Sequence, residues 1–257
     1  MLAESGAEHL SWGIRSWALL VLFVPGEAAT MGENAVPSNM AELLVVRHGE
    51  TSWNVLGRLQ GHAESDLNEA GKKQAQAAAE KLASMGLEFA AIYSSDLKRA
   101  LDTAQAIADK CQCSNVIVRE NLRERCLGDL EGLTRSEART AAPEALKAFM
   151  KNNDFLPIPG GGESLEQLCV RVQNAFEQIA SGSLGKRVVV VTHGGVLRTA
   201  HILATGLPCS GKVVNASINV FRISDEKDWT ITCWGAASHL QDIGFLDTGF
   251  GGDKLSG

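Results

Sequence analysis

Two histidines, each preceded by a short apolar run and followed by glycine, are the residues of this sequence best suited to chemistry. The first lies in LLVVRHGETSWN, Leu43 to Asn54, where Arg47 and His48 stand directly before Gly49. The second lies 145 positions on, from 48 to 193, in Thr192-His193-Gly194-Gly195. A guanidinium and two imidazoles gathered in one place can face a single small substrate group, and the glycines let a ligand come close to the backbone. An isolated Arg-His-Gly also suits a hydrogen-bonded structural histidine, so the placement of the two runs decides between these readings.

Both runs read as strands. Leu43 to Val46 and Val188 to Val191 are continuous aliphatic stretches too short for a helix, as in a parallel sheet covered on both faces. If they are neighbours, about 4.8 Å apart, the two imidazoles emerge together at the carboxyl end of the sheet, where open α/β folds bind ligands. The remaining pattern alternates. Glu50 to Asp66 reads as a polar loop, and Asn68 to Met85 as a helix closed by Gly86. Ala90 to Tyr93 is a strand leading into Ser94-Ser95-Asp96. Those short polar side chains predict an N-cap that puts Arg99 in the first helical turn, where anions are favoured.

Val116 to Val118 is a further strand, followed by a charged loop, Glu120 to Gly132, that holds Glu124. Thr134 to Asn153 is helical but broken at Pro143, and 157–162 is an extended loop. Ser164 to Ile179 is an amphipathic helix with a Ser164/Gln167 capping box. Val196 to Ala204 is a helix whose His201 reads as structural, and Ile218 to Ile223 and Thr230 to Trp234 are the last strands. The sum predicts an α/β fold, a three-layer α/β/α sandwich with a mostly parallel central sheet.

The chain has 257 residues, 45% hydrophobic and 21% charged, enough for one large α/β domain. Its net charge of -6 and pI near 5.6 give no footprint for nucleic acid, so any affinity for phosphate comes from locally gathered arginines. The six cysteines fit neither a zinc site nor a disulfide framework, and reduced thiols in the cytoplasm are the expectation. Trp17 to Val24 is too short to span a bilayer, which takes about 20 residues, and Glu4 and Glu8 make the leading segment acidic rather than basic. The expected organisation is an N-terminal extension over 1–40 without stable order, a catalytic domain over 41–248 and a flexible tail over 249–257. Asn215-Ala216-Ser217 matches a glycosylation acceptor, a pattern that short sequences produce by chance.

Five ordered blocks carry a family resemblance. Arg47-His48-Gly49-Glu50-Thr51 with Trp53-Asn54, Gln60-Gly61 in RLQG, Ser94 to Ala100, Leu122-Arg123-Glu124 with Gly128 and Glu131-Gly132, and Thr192-His193-Gly194 resemble the histidine phosphatase superfamily, which includes the phosphoglycerate mutases. The resemblance implies a phosphoglycerate mutase-like fold and phosphoryl transfer from a small phosphorylated metabolite, with no metal, nucleic-acid or membrane partner. His48 is then the nucleophile, its other ring nitrogen held as a donor by a backbone carbonyl. Arg47, Arg99 and His193 surround the phosphoryl oxygens, with Asn54, Gln60, Gly61 and Gly194 on the substrate side. Glu124 gives a proton to the leaving oxygen and then activates water.

The family holds hydrolases and mutases. The mutases have a longer insertion after the glutamate loop, paired arginines, and an aromatic residue three positions after the acid, where this chain has Leu127. Asp129-Leu130-Glu131-Gly132 and Ser238-His239 resemble the small broad-specificity phosphatases. A phosphomonoesterase working through phosphohistidine without a cofactor is the leading expectation. A phosphoglycerate mutase, which would need 2,3-bisphosphoglycerate, is the alternative, with Arg135 available for a substrate carboxylate. An inactive phosphate-binding module and a metal protein built on His48, His193 and His62 rank below both.

Overall fold

The computed structural model describes residues 35–113, 115–150 and 155–244. The element order is β1 (Met40–Arg47), α1 (Ser52–Val55), α2 (Glu69–Ser84), β2 (Ala91–Ser94), α3 (Lys98–Lys110), β3 (Val116–Val118), α4 (Arg135–Ala141), α5 (Pro143–Met150), α6 (Leu165–Ser181), β4 (Arg187–Thr192), α7 (Gly194–Thr205), β5 (Ile218–Ser224) and β6 (Trp229–Ala236). The sheet order is β3-β2-β4-β1-β5-β6. The pairings β3–β2, β2–β4 and β4–β1 are parallel, whereas β5 runs antiparallel to β1 and to β6.

Because side chains alternate along a strand, β1 and β4 feed two cores at once. Leu43, Val45, Val188 and Val190 pack with Val172, Phe176 and Leu197 from α6 and α7. Leu44, Val46, Val189 and Val191 pack with Leu82 and Ile107 from α2 and α3. The result is the three-layer α/β/α sandwich expected from the apolar runs. A smaller core of Leu59, Leu127, Leu130, Leu146 and Ile158 lies under α4 and α5. Leu127, which the resemblance sets against an aromatic residue of the mutases, is completely buried there.

Local rules set most boundaries. Asn68 caps α2 and Ser164 caps α6 in the capping box read from the sequence. Pro143 opens α5 at a position that needs no amide donor. Two expectations differ. The loop over 50–66 contains a helical turn, α1, because Thr51 and Asn54 form a reciprocal capping box. The N-cap of α3 is Leu97 without a side-chain cap bond, and Ser95 instead accepts from the Leu97 N–H at 3.3 Å. Lys98 N–H donates to Glu64 at 3.1 Å, so a distant carboxylate supplies what the serines were expected to supply.

The residues just ahead of the strand are held in place, since Val36 is buried and the Met40 N–H donates to the Pro37 carbonyl at 2.9 Å. The rest of the expected N-terminal extension and the expected flexible tail lie outside the described residues. Among the described residues no helix is long and apolar enough to cross a membrane.

Candidate active site

Strand register brings the two histidines together. Arg47 on β1 pairs with Thr192 on β4, and the His48 N–H donates to the Thr192 carbonyl at 2.9 Å. The imidazole centroids stand 5.2 Å apart at 53°. His48 Nδ1 lies 2.7 Å from the Gly49 carbonyl, which makes Nδ1 the donor and leaves a lone pair on Nε2. The Gly49 peptide is fixed from both sides: its N–H donates to Thr103 Oγ1 at 3.1 Å, and Asn215 Nδ2 reaches its carbonyl at 3.3 Å and that of His48 at 3.0 Å. A Cβ on Gly49 would lie 2.4 Å from the Gly71 carbonyl oxygen, so glycine is required where α2 packs against this turn.

The cations around the imidazoles are buried. Arg99 is fully buried, with Nη1 donating to the Ala63 carbonyl at 2.9 Å and Nη2 to the Gly61 carbonyl at 2.7 Å. Arg47 donates through Nη1 to the Val213 carbonyl. The Nε of each arginine and both ring nitrogens of His193 are buried without a hydrogen-bond partner. Buried donors are rarely left so, and the two arginines line one pocket, an arrangement suited to an anion. Burial lowers the Arg47 pKa to about 10, which still leaves it charged at neutral pH. Burial, reinforced by Arg99, holds both histidines well below the ordinary imidazole value, which favours their neutral form.

Arg47, His48, Asn54, Arg58, Gln60, Arg99 and Glu124 line one small pocket. The Asn54 Oδ1 accepts from Thr51 and Asn215, which leaves Nδ2 as its donor to the pocket. Glu124 is buried, with Oε1 accepting the Arg125 N–H at 2.8 Å and Oε2 the Gly195 N–H at 3.0 Å.

Six sequence-selected residues therefore line the pocket, Arg47, His48, Asn54, Gln60, Arg99 and Glu124, and His193 stands beside it with its ring 5.2 Å from that of His48. Two take a different part. Gly61 faces Arg99 through its carbonyl and does not line the pocket, because its positive φ turns that carbonyl toward the guanidinium. Gly194 opens α7, and it is the next residue, Gly195, whose N–H touches Glu124. His62 is not joined to the other histidines in a metal cluster: its Nε2 lies 2.8 Å from the Glu124 carbonyl. Among the described residues no group of three or more His, Cys, Asp or Glu side chains could hold a metal. His201 packs edge-on to Trp234 at 4.8 Å, away from the site.

Sequence reasoning missed Arg58, Thr103, Asn215 and Gly195. Arg58 sits inside the RLQG block and was within reach of that motif. Asn215 looked like a glycosylation acceptor, yet it is buried against the His48 turn.

Comparison with known proteins decides the family. The profile described as histidine phosphatase superfamily (branch 1) matches residues 43–237. The chain belongs to the histidine phosphatase superfamily. It is 51% identical to a metal-independent phosphoserine phosphatase of Arabidopsis thaliana over 218 residues, covering 85% of this chain and 91% of that protein. It is 51% identical to phosphoglycerate mutase-like protein 4 of the same plant over 220 residues, 84% and 94% of the two chains. Among solved structures, YhfR of Bacillus stearothermophilus is similar with a TM-score of 0.70 and 32% identity, covering 78% of this chain and all of that one. This histidine phosphatase superfamily member is an enzyme of the phosphoric monoester hydrolase class, and its fold is phosphoglycerate mutase-like.

Proposed function

We propose that the enzyme hydrolyses small phosphorylated metabolites, with phosphoserine the first candidate, through a phosphohistidine on His48. The observation that carries this is the set of buried, unpartnered donors on Arg47, Arg99 and His193 around an imidazole whose Nε2 holds a lone pair. His48 Nε2 attacks phosphorus in line, forming the P–N bond as the P–O bond to the leaving group breaks. Glu124 gives its proton to the departing oxygen, then takes one from a water that attacks the phosphohistidine and releases phosphate. Arg47 and Arg99 face the charge that builds on the equatorial oxygens, the part a magnesium ion plays elsewhere, so the reaction needs no metal. The 51% identity to an enzyme named metal-independent supports that reading. His193 adds a donor as the incoming dianion stabilises its protonated form.

Arg58 lines the same pocket while paired with Glu137 at 2.7 Å, and it offers a further cation there for a substrate carboxylate. All six cysteines are free thiols, which supports placing the enzyme in the reducing cytoplasm. The test is phosphate release from phosphoserine, 3-phosphoglycerate, sugar phosphates and nucleotides, with and without chelator and 2,3-bisphosphoglycerate. Release that ignores chelator, with an acid-labile phosphoenzyme lost in His48→Ala, is the expected result. Isomerisation of 3-phosphoglycerate faster than its hydrolysis would make the enzyme a mutase, and normal turnover by His48→Ala would end the covalent route.

A further inference from the structure

Arg171 stands on α6 outside the pocket, yet its whole guanidinium is engaged with the segment that carries Glu124. Nη1 donates to the carbonyls of Asn121 at 3.0 Å and Arg123 at 2.8 Å, and Nη2 to the carbonyl of Glu124 at 3.0 Å. The two remaining N–H groups, on Nε and Nη2, meet Glu163 Oε1 and Oε2, both at 2.7 Å. All five donors of the fork are thus used. The carbonyl that Arg171 leaves out, that of Leu122, accepts Thr192 Oγ1 at 2.7 Å, from the residue before His193. Four consecutive carbonyls, from 121 to 124, are therefore pinned. Glu163 extends the hold past the acid, accepting the Cys126 N–H at 2.9 Å through Oε2 and Arg125 Nε at 3.0 Å through its own carbonyl.

This arrangement exceeds what packing of α6 requires. The apolar stripe of Leu168, Val172, Phe176 and Ile179 already joins that helix to the core. The pinned carbonyls belong to the 3-10 turn Glu120–Leu122 and the two residues after it, where among the described residues no backbone N–H takes them. A planar fork differs from water in fixing direction as well as satisfying acceptors. Its effect falls on one residue, since the backbone torsions it sets determine where the Glu124 carboxylate stands.

We propose that Arg171, oriented by Glu163, is a positioning residue that holds Glu124 at the leaving oxygen. This rests on the acid role given to Glu124 above. The test measures phosphoenzyme formation by rapid quench in Arg171→Lys, beside Glu124→Gln, with two substrates. Phosphoserine, or β-glycerophosphate should the wild type reject it, has a leaving group that needs a proton. p-Nitrophenyl phosphate has one that does not.

Arg171→Lys keeps the charge and loses the fork. It should slow phosphorylation by the alkyl substrate about 100-fold, the size expected from a misplaced catalytic group, while the nitrophenyl rate stays within about threefold. An equal loss with both substrates, or no loss with either, overturns the proposal. If Glu124→Gln discriminates between the substrates and Arg171→Lys does not, the positioning role alone fails. If Glu124→Gln does not discriminate, the acid role fails and takes this inference with it. Should Arg171→Lys not fold, Glu163→Gln preserves the shape of the pair and should show the same selectivity at roughly 10-fold, with equal rates on both substrates counting against the proposal.

Discussion

Gly195 makes room for Glu124. Its N–H donates to Oε2 at 3.0 Å, and a Cβ built on it would lie 2.2 Å from Oε1. The two groups come from distant parts of the chain, so the absence of one methyl group on α7 determines where the carboxylate on the loop after β3 can stand. Gly195→Ala should separate activity from stability. Alanine suits a helix better than glycine by roughly 0.5–1 kcal/mol, which offsets some of the clash. The carboxylate must move, however, and a shift of that size at a catalytic group costs on the order of 100-fold in rate. Thermal melts and steady-state kinetics on one preparation check this: a near-normal melting temperature with a large drop in kcat is expected.

The buried imidazoles make stability depend on pH with a definite sign. Burial and the neighbouring arginines hold His48 and His193 well below the ordinary value of 6.5 in the folded protein. The unfolded chain titrates near 6.5 and binds more protons than the folded one at any pH between the two values. Stability is therefore greatest above about pH 6.5 and falls as the pH drops below it toward the folded values. Urea unfolding at a series of pH values, in phosphate-free buffer, should show this decline. His48→Asn should make it shallower, and an unchanged slope in that variant would sink the account.

Arg99 offers a test of anion binding independent of turnover. Two of its nitrogens are tied to the carbonyls of Ala63 and Gly61, and its buried Nε is left for a ligand. Inorganic phosphate should raise the melting temperature of the wild-type protein, by about 2.7 kcal/mol of stability at a hundredfold excess over Kd. Arg99→Lys keeps a charge but has no fork to bridge both carbonyls and an anion, so the phosphate-induced shift should shrink or vanish. A full shift in that variant would mean that phosphate binds elsewhere.

How much of this was legible in the sequence follows from the range of the interactions. Leu43 to Val46 and Val188 to Val191 were readable because a buried parallel strand records its environment in its own composition. The Ser164/Gln167 box was readable because its partners are three residues apart. Asn54 lines the pocket, but its Oδ1 belongs to the Thr51 cap, leaving only the amide nitrogen for a ligand. Asn215, Thr103 and Arg171 were not readable, since each is defined by a partner between 47 and 167 positions away. The part played by Gly195 was hidden for a related reason: both Gly194 and Gly195 fit the glycine-rich turn, and only the approach of Glu124 distinguishes them.

The opposite end of β1 carries stability without chemistry. Glu42 is buried at the start of the strand, with Oε1 2.5 Å from Arg187 Nε on β4 and Oε2 2.8 Å from Arg222 Nε on β5. One carboxylate thus ties the central strand to both neighbours, roughly 20 Å from His48 at the strand rise of about 3.3 Å per residue. Removing one member of such a cluster leaves unpaired charge behind, which costs about 3–5 kcal/mol when fully buried. Arg222 is partly solvated, with 35% of its side chain exposed, so the loss here should be smaller. Glu42→Gln should therefore lower the denaturant midpoint by the equivalent of about 2 kcal/mol while leaving kcat and KM unchanged at temperatures where it stays folded. A change in kcat would mean that the two ends of the strand are coupled, contrary to the separation of roles that the distance implies.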